Sequence, residues 1–193
     1  ASTRFHLNIE RGLLLHSVGV TSNALDVRTL LAPDIPDESI VIAALLHDLG
    51  KVGYPGKPHY LPNGNRWEVE KRNMTYRTNP EAMTMNLAVR SLYLIGNRID
   101  LTEEEAQAIV SHDGIYRVSG GVNNLDYHHR ECRLQMIVHF ADKWTAAVDQ
   151  EGRGVGAHAL ARTISSNKAL PLVITIPAEY HKYSTITVVC WKF

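Results

Sequence analysis

Apolar positions recur at close to helical spacing over much of this chain, and proline, glycine and capping residues mark the breaks. From about Arg4 to Leu31 there is no proline, and Leu13, Leu14, Val18, Leu25, Leu30 and Leu31 repeat with a roughly helical period. Pro33 and Pro36 end that helix, and Asp37 is a good N-cap for a second, Glu38 to Leu49, which stops at Gly50. Lys51 to Thr78 has many prolines and glycines and no clean period, so it reads as a long loop of the kind that forms lids or binding segments. Asn79-Pro80-Glu81 has the form of a helix start, predicting a helix to about Ile95. Thr102 to Glu105 is a capping box opening another helix to about His112. A polar loop around Ser119 to Asn124 precedes a long helix, about His128 to Gln150, and a short one, Val155 to Ile164. The character then changes. Leu172 to Ile176 and Tyr183 to Trp191 are β-branched and alternating, which predicts a hairpin. The expected fold is mainly α: one helical bundle over residues 1–165, with a small C-terminal β-hairpin at 166–193 appended to the same domain.

Polar residues interrupt three of the apolar faces. His47 and Asp48 end the run Ile40 to Leu46, which is apolar all round and so predicts a buried helix. Asp142 falls four residues after Val138 and four before Ala146, on the apolar stripe of the long helix. His16 follows Leu13, Leu14 and Leu15. Burying carboxylates without partners is costly, and the one cation beside Asp142, Lys143, projects from another face. A divalent metal resolves the conflict. Two imidazoles and two carboxylates form a mixed N/O set suited to Mn, Fe, Co, Ni, Mg or Zn, with the choice among them left open. Small neighbours (Gly12 and Gly19 near His16, Ala43, Ala44 and Gly50 near His47, Ala146 near Asp142) let helices approach closely enough to share one ion.

In this order and setting His16, His47-Asp48 within Leu45-Leu46-His47-Asp48-Leu49-Gly50-Lys51, and Asp142 within Phe140-Ala141-Asp142-Lys143 resemble the H…HD…D signature of the HD-domain phosphohydrolases. The resemblance spans roughly His16 to Val148. It implies an HD-domain-like helical bundle that hydrolyses phosphate esters, often of nucleotides, with His16, His47, Asp48 and Asp142 as metal ligands. The metal would activate water and polarise a phosphoryl oxygen. Asp48, Lys51 and His112 are the candidate catalytic residues. Lys51, one turn beyond His47, is placed to meet a phosphate oxygen or, alternatively, to balance a helix C-terminus. Ser111-His112-Asp113-Gly114 lies where the HD-GYP phosphodiesterase branch carries further histidine ligands. That branch tends to have a His-Pro ligand where this chain has Asn79-Pro80, and Gly53-Tyr54-Pro55 stands elsewhere than its GYP triplet. His112 is open to three roles: binding substrate phosphate, acting as general acid, or capping its helix.

Within the predicted lid, Arg66, Arg72 and Arg77 are the candidate substrate-binding residues, with Lys71 beside them, and Tyr54, Tyr60, Trp67 and Tyr76 could stack on a base or pack the lid down. His139 reads as a core or surface histidine, or as a support for Asp142; His128 and His129 read as a solvated helix start, and His6, His59, His158 and His181 carry no functional reading.

Composition narrows the partners. Lys+Arg and Asp+Glu both number 20, so a nucleic-acid coat or polybasic membrane binder is disfavoured. No run approaches the ~18 apolar residues of a membrane span, and two cysteines, Cys132 and Cys190, provide no disulfide framework. With no signal-peptide pattern, a cytoplasmic location is expected. Gly50 to Lys57 is not a phosphate loop, since Pro58 stands where Ser or Thr is required, and Gly152 to Gly156 follows no strand. The expected substrate is a small phosphorylated molecule, foremost a nucleoside mono- or triphosphate, with a cyclic nucleotide behind it. The rival is a sensor that binds metal and nucleotide without catalysis. The hairpin either covers the core or pairs with another subunit through its edge.

Overall fold

Several helices meet in one core to which each presents small and branched side chains. In the computed structural model, which describes residues 7–9, 11–54, 56–96, 98–114, 130–149, 173–176 and 186–189, helix α1 spans Gly12–Leu31. Its buried face is Gly12, His16, Ser17, Val20 and Ala24 rather than the leucine stripe read from the sequence; Leu30 and Leu31 are exposed. The small residues win because they let α1 lie close to its neighbours, which a leucine face would hold apart. Helix α2, Asp37–Leu46, begins on Pro36 with Asp37 as its first helical residue, and it ends three residues earlier than expected. His47 and Asp48 form a turn, and Leu49–Val52 tighten into a 3₁₀ turn.

Lys51 to Thr78 is more ordered than a loop. It contains strands β1 (Gly53–Tyr54) and β2 (Lys57–Pro58), then β3 (Tyr60–Pro62), helix α3 (Arg66–Arg72) and β4 (Tyr76–Thr78). β1 pairs with β2 and β3 with β4, both antiparallel, with Leu61 opposite Arg77. Asn65 caps α3 by accepting from Glu68 N, and Asn73 closes it in the left-handed conformation.

The helix expected from Asn79 starts later, as α4, Leu87–Ile95. Asn86 outcompetes Asn79 as the cap because its side chain accepts from both Ala88 N and Val89 N. Asn79 instead closes a local turn and donates to the Pro58 carbonyl. Helix α5, Glu103–Ser111, opens on the complete capping box of Thr102 and Glu105, as the sequence implies. Helix α6, Arg133–Trp144, starts later than His128, capped by Cys132, and relaxes into a π-helical turn over Thr145–Asp149.

α1 packs on α2 and α6, α5 on α2, α4 and α6, and α4 on the 3₁₀ turn. Their shared core includes Val20, Ala24, Ile40, Ala43, Ala44, Ile109, Val138 and Ala141. At the far end of the chain β5 (Val173–Ile176) pairs antiparallel with β6 (Ile186–Val189), Val173 opposite Val189, giving the expected hairpin. The first helix starts at Gly12, later than the start near Arg4 read from the sequence, since residues 7–9 and 11 are not helical; the Ser119–Asn124 loop, the helix 155–164 and the boundary near residue 165 lie outside the described residues. No helix among those described is long and apolar enough to cross a membrane. The fold is thus mainly helical with small two-stranded sheets.

Candidate metal centre

Each ligand candidate arrives from a different place in the fold. His16 projects from the N-terminal part of α1, His47 is the C-cap of α2, Asp48 follows it, His112 is the C-cap of α5, and Asp142 lies on α6. Four of the five are almost fully buried: His16 1%, His47 0%, Asp48 4% and His112 3% exposed. The Asp142 carboxylate is partly open.

His16 Nε2 lies 2.9 Å from Asp142 Oδ1 and 3.6 Å from Asp48 Oδ2. His47 Nε2 lies 3.4 Å from Asp48 Oδ2 and 3.8 Å from Asp142 Oδ1. His112 Nε2 is 3.7 Å from the other oxygen of Asp48, Oδ1, and 3.8 Å from Asp113 Oδ2. The rings of His47 and His112 meet edge to face with centroids 4.6 Å apart. His16, His47 and Asp142, like His47, Asp48 and His112, offer ligand atoms within 4.8 Å of one another, close enough to hold a metal ion.

The local chain prepares the imidazoles for that role. His47 and His112 both sit at a helix end, where main-chain carbonyls lack helical partners. Each faces the carbonyl three residues back with Nδ1, at 2.7 Å from Ala44 O and from Ile109 O. A carbonyl only accepts, so Nδ1 carries a proton, and Nε2 is the nitrogen that offers a lone pair to a cation whenever it is unprotonated. His47 Nε2 is buried without a hydrogen-bond partner. Such an atom is costly unless something accepts its lone pair, and a cation between it and the carboxylates does so. The donor set therefore fits a divalent ion.

Charge in the cluster is unevenly divided. Burial disfavours a charged His47, but Asp48 and Asp142 outweigh it and raise its pKa above 6.5. His112 is pushed the other way, by burial and then by the charge on His47. Burial also works against an ionised Asp48, yet His47, Lys51 and His112 hold it well below the usual carboxylate range. Asp142, likewise opposed by burial, is lowered to about 2 by its bond to His16 and by His47. Lys51 Nζ donates to Asp48 Oδ2, and this contact raises the ammonium pKa against the effect of burial.

The turn carrying Asp48 and Lys51 is held from behind by α4. Ser91 Oγ accepts from Gly50 N at 2.8 Å and donates to His47 O at 2.9 Å. Gly50 must be glycine, since a Cβ there would lie 2.0 Å from Leu87 O. Asp113, quoted in Ser111-His112-Asp113-Gly114 without a role of its own, and Ser91 were not read as parts of the site. A second His-Asp pair at a helix end, His112-Asp113, was the signal for the first; Ser91, a small polar residue on a buried face, gave none. His139 supports the centre indirectly, its Nδ1 donating to the His112 carbonyl.

Among the lid candidates Tyr60 lies close enough to Lys51 to act on its charge, whereas the arginines are paired or exposed on α3 and β4. Arg66 pairs with Glu70 at 2.6 Å and Arg72 with Glu68 at 3.9 Å, both along α3, and Arg77 is exposed on β4. Lys71 and Trp67 are exposed, Tyr54 packs under Arg90 and against Tyr93, and Tyr60 packs on His59. Comparison with protein-family models, with curated proteins and with solved structures returned no match.

Proposed function

We propose that this protein is an HD-domain-like, metal-dependent phosphohydrolase acting on a small phosphorylated molecule, foremost a nucleotide. The observation that carries this reading is the buried His47 Nε2, which makes no good hydrogen bond but lies 3.4 Å from Asp48 and 3.8 Å from Asp142, the carboxylates that His16 also meets. His16, His47, Asp48 and Asp142 would hold the ion, with His112 and Asp113 adjoining it. A divalent ion there supplies Lewis acidity toward water and a phosphoryl oxygen.

The chain's own residues set the rest. Asp48 offers Oδ2 to His16 and His47 and Oδ1 to His112, so it ties the histidines of α1, α2 and α5 to one carboxylate. Lys51 is the cation paired with Asp48. Its ammonium balances Asp48, and with that carboxylate engaged by an ion it is freed to bind a phosphate oxygen and offset charge that develops on it. His112 is neutral with its proton on Nδ1, which suits it to donate a lone pair and argues against the proton-donor role. Helix packing excludes water from one side of the cluster, while the partly open Asp142 marks the side from which a substrate enters.

The rival reading, a metal- and nucleotide-binding sensor, draws on the Lys51–Asp48 ion pair, which leaves the lysine engaged within the protein. Phosphate release from a nucleotide panel with added Mn²⁺ separates the two. The enzyme reading expects release by the wild type and none by Asp48→Ala. Nucleotide binding without release from metal-loaded, folded protein would hand the site to the sensor.

A further inference from the structure

Arg90 is fully buried on α4, and among the described residues it has no carboxylate partner. Its Nη1 donates to Gly50 O at 3.3 Å and to His59 Nδ1 at 3.0 Å, Nη2 donates to Met83 O, and the guanidinium lies over the Tyr54 ring at 5.1 Å. A guanidinium has only donors, so His59 Nδ1 must be the acceptor. A neutral imidazole that accepts on Nδ1 carries its proton on Nε2, and an imidazolium would have no lone pair to offer Arg90. His59 is therefore the opposite tautomer from His47 and His112. Those two spend their N–H on a helix carbonyl and keep a lone pair for a cation; His59 spends its lone pair on Arg90 and keeps an N–H for an acceptor.

His59 is also fixed in place beside Lys51. Its backbone N–H donates to Val52 O, at the end of the 3₁₀ turn that carries Lys51, and its carbonyl accepts from Asn79 N at 2.8 Å. Arg90 Nη1 joins it to Gly50 O, the residue before Lys51. Burial, Arg90 and Lys51, in that order, all keep the ring uncharged. Lys51 pairs with Asp48 and its charge is felt at the His59 ring, whose N–H donor is backed by the Arg90 guanidinium, and this combination favours an oxyanion.

We propose that His59 is a phosphate-binding residue, its Nε2–H set as a donor by Arg90 and directed to an oxygen of the phosphate that Lys51 receives. This rests on the phosphohydrolase reading above. Arg90, out of reach of substrate, is the positioning residue.

The test uses inorganic phosphate as the probe, titrated calorimetrically into the Zn²⁺-loaded full chain, with zinc content measured for every variant. His59→Ala is expected to bind phosphate about 10- to 100-fold more weakly at unchanged zinc content. His59→Gln, whose amide N–H reaches the Nε2 position, is expected to stay within about threefold of the wild type. A long-range ¹H–¹⁵N spectrum of the histidine rings should show His59 as the Nε2–H form. Wild-type affinity in His59→Ala, a loss in His59→Gln equal to that in His59→Ala, or an Nδ1–H tautomer would each overturn the assignment and leave the hydrolase reading standing. Should His59→Ala not fold, the glutamine variant and the tautomer decide. A wild-type, zinc-loaded protein that binds no phosphate would remove the hydrolase reading and this inference with it.

Discussion

The His/Asp centre and helix α3 draw on similar charged side chains and use them in opposite ways. On α3, Arg66 and Glu70 meet at 2.6 Å with the arginine side chain 89% exposed, so water already satisfies both ions and the pair adds a few tenths of a kcal/mol at most. At the centre, Asp48 is 4% exposed, and its partners come from α1, the end of α2, the end of α5 and the 3₁₀ turn. There Asp48 and Asp142 are met by residues that the fold has brought from distant parts of the chain as well as, for Asp48, by its own turn. A charged residue thus signals chemistry where solvent cannot reach it, and little where solvent can.

The largest break in that contrast should come from Asp48→Ala. It removes the carboxylate shared by the histidines and leaves Lys51 and His47 facing each other inside the protein. Metal affinity is expected to fall by more than about 100-fold, and stability of the metal-free protein by about 3–5 kcal/mol, the cost of breaking a buried ion pair from one side. Calorimetric metal titration and urea unfolding check both, and wild-type metal binding by the variant would dissolve the proposed centre.

A pair of glycines sharpens the same comparison without touching a charge. A Cβ on Gly50 would meet Leu87 O at 2.0 Å and Leu87 C at 2.9 Å, whereas one on Gly64, between β3 and α3, meets nothing within 4 Å. Gly50→Ala should cost about 1–3 kcal/mol or more and weaken metal binding, because α4 must retreat from the turn carrying Asp48. Gly64→Ala should stay within about 0.5 kcal/mol. Equal urea midpoints for the two variants would mean that α4 does not brace the centre.

How much of this was legible beforehand follows the same division. His16, His47, Asp48 and Asp142 stood out because each is polar at a position that local periodicity buries, His112 stood out only through the resemblance of Ser111-His112-Asp113-Gly114, and the structure brings all five together. The Thr102–Glu105 capping box is likewise written in adjacent residues. What could not be read depends on contacts across the chain. Asn79 and Asn86 are both plausible caps, and only the engagement of Asn79 with Pro58 O leaves Asn86 to start α4. The leucines of α1 looked like its core face, but the fold buries the line of Gly12, His16, Val20 and Ala24 instead. Arg90 and His59 were silent because, Met83 O apart, the side-chain hydrogen-bond partners that fix them lie 31 or more residues away, at Gly50 and at each other.

Titration of the metal-free protein separates the regions by a smaller amount. Asp142 is lowered from 3.8 to about 2, so its contribution is fully present above pH 3.8 and is lost as pH falls through about 2. That is about 2 kcal/mol, and Asp142→Asn should flatten the acid limb accordingly. His47 is raised, so its contribution is present below its unfolded value of 6.5 and is lost as pH rises through the folded value above it. The metal-free protein should therefore soften on the alkaline side of pH 6.5, and a bound divalent ion, replacing the lost proton as the cation beside Asp48, should abolish that softening. Thermal melts at stepped pH, with and without Zn²⁺, read both limbs; an alkaline limb unchanged by zinc would show that proton and metal do not compete at His47.

The smallest effects are expected on α3, and they bear on how substrate is held. Arg66→Ala and Arg72→Ala each remove a solvated partner of a glutamate on the same helix. If substrate phosphate is received by Lys51 and His59, both variants should leave KM and kcat for the hydrolysed nucleotide within about twofold, since exposed pairs carry little energy to lose. Arg77, exposed on β4 opposite Leu61, belongs to the same set. A tenfold rise in KM for any of the three, with kcat unchanged, would mean that the arginine leaves its place on the surface to bind substrate. The segment from Lys51 to Thr78 would then close over the centre as a recognition element, as the sequence suggests, and exposure in the free protein would cease to distinguish an idle charge from a working one.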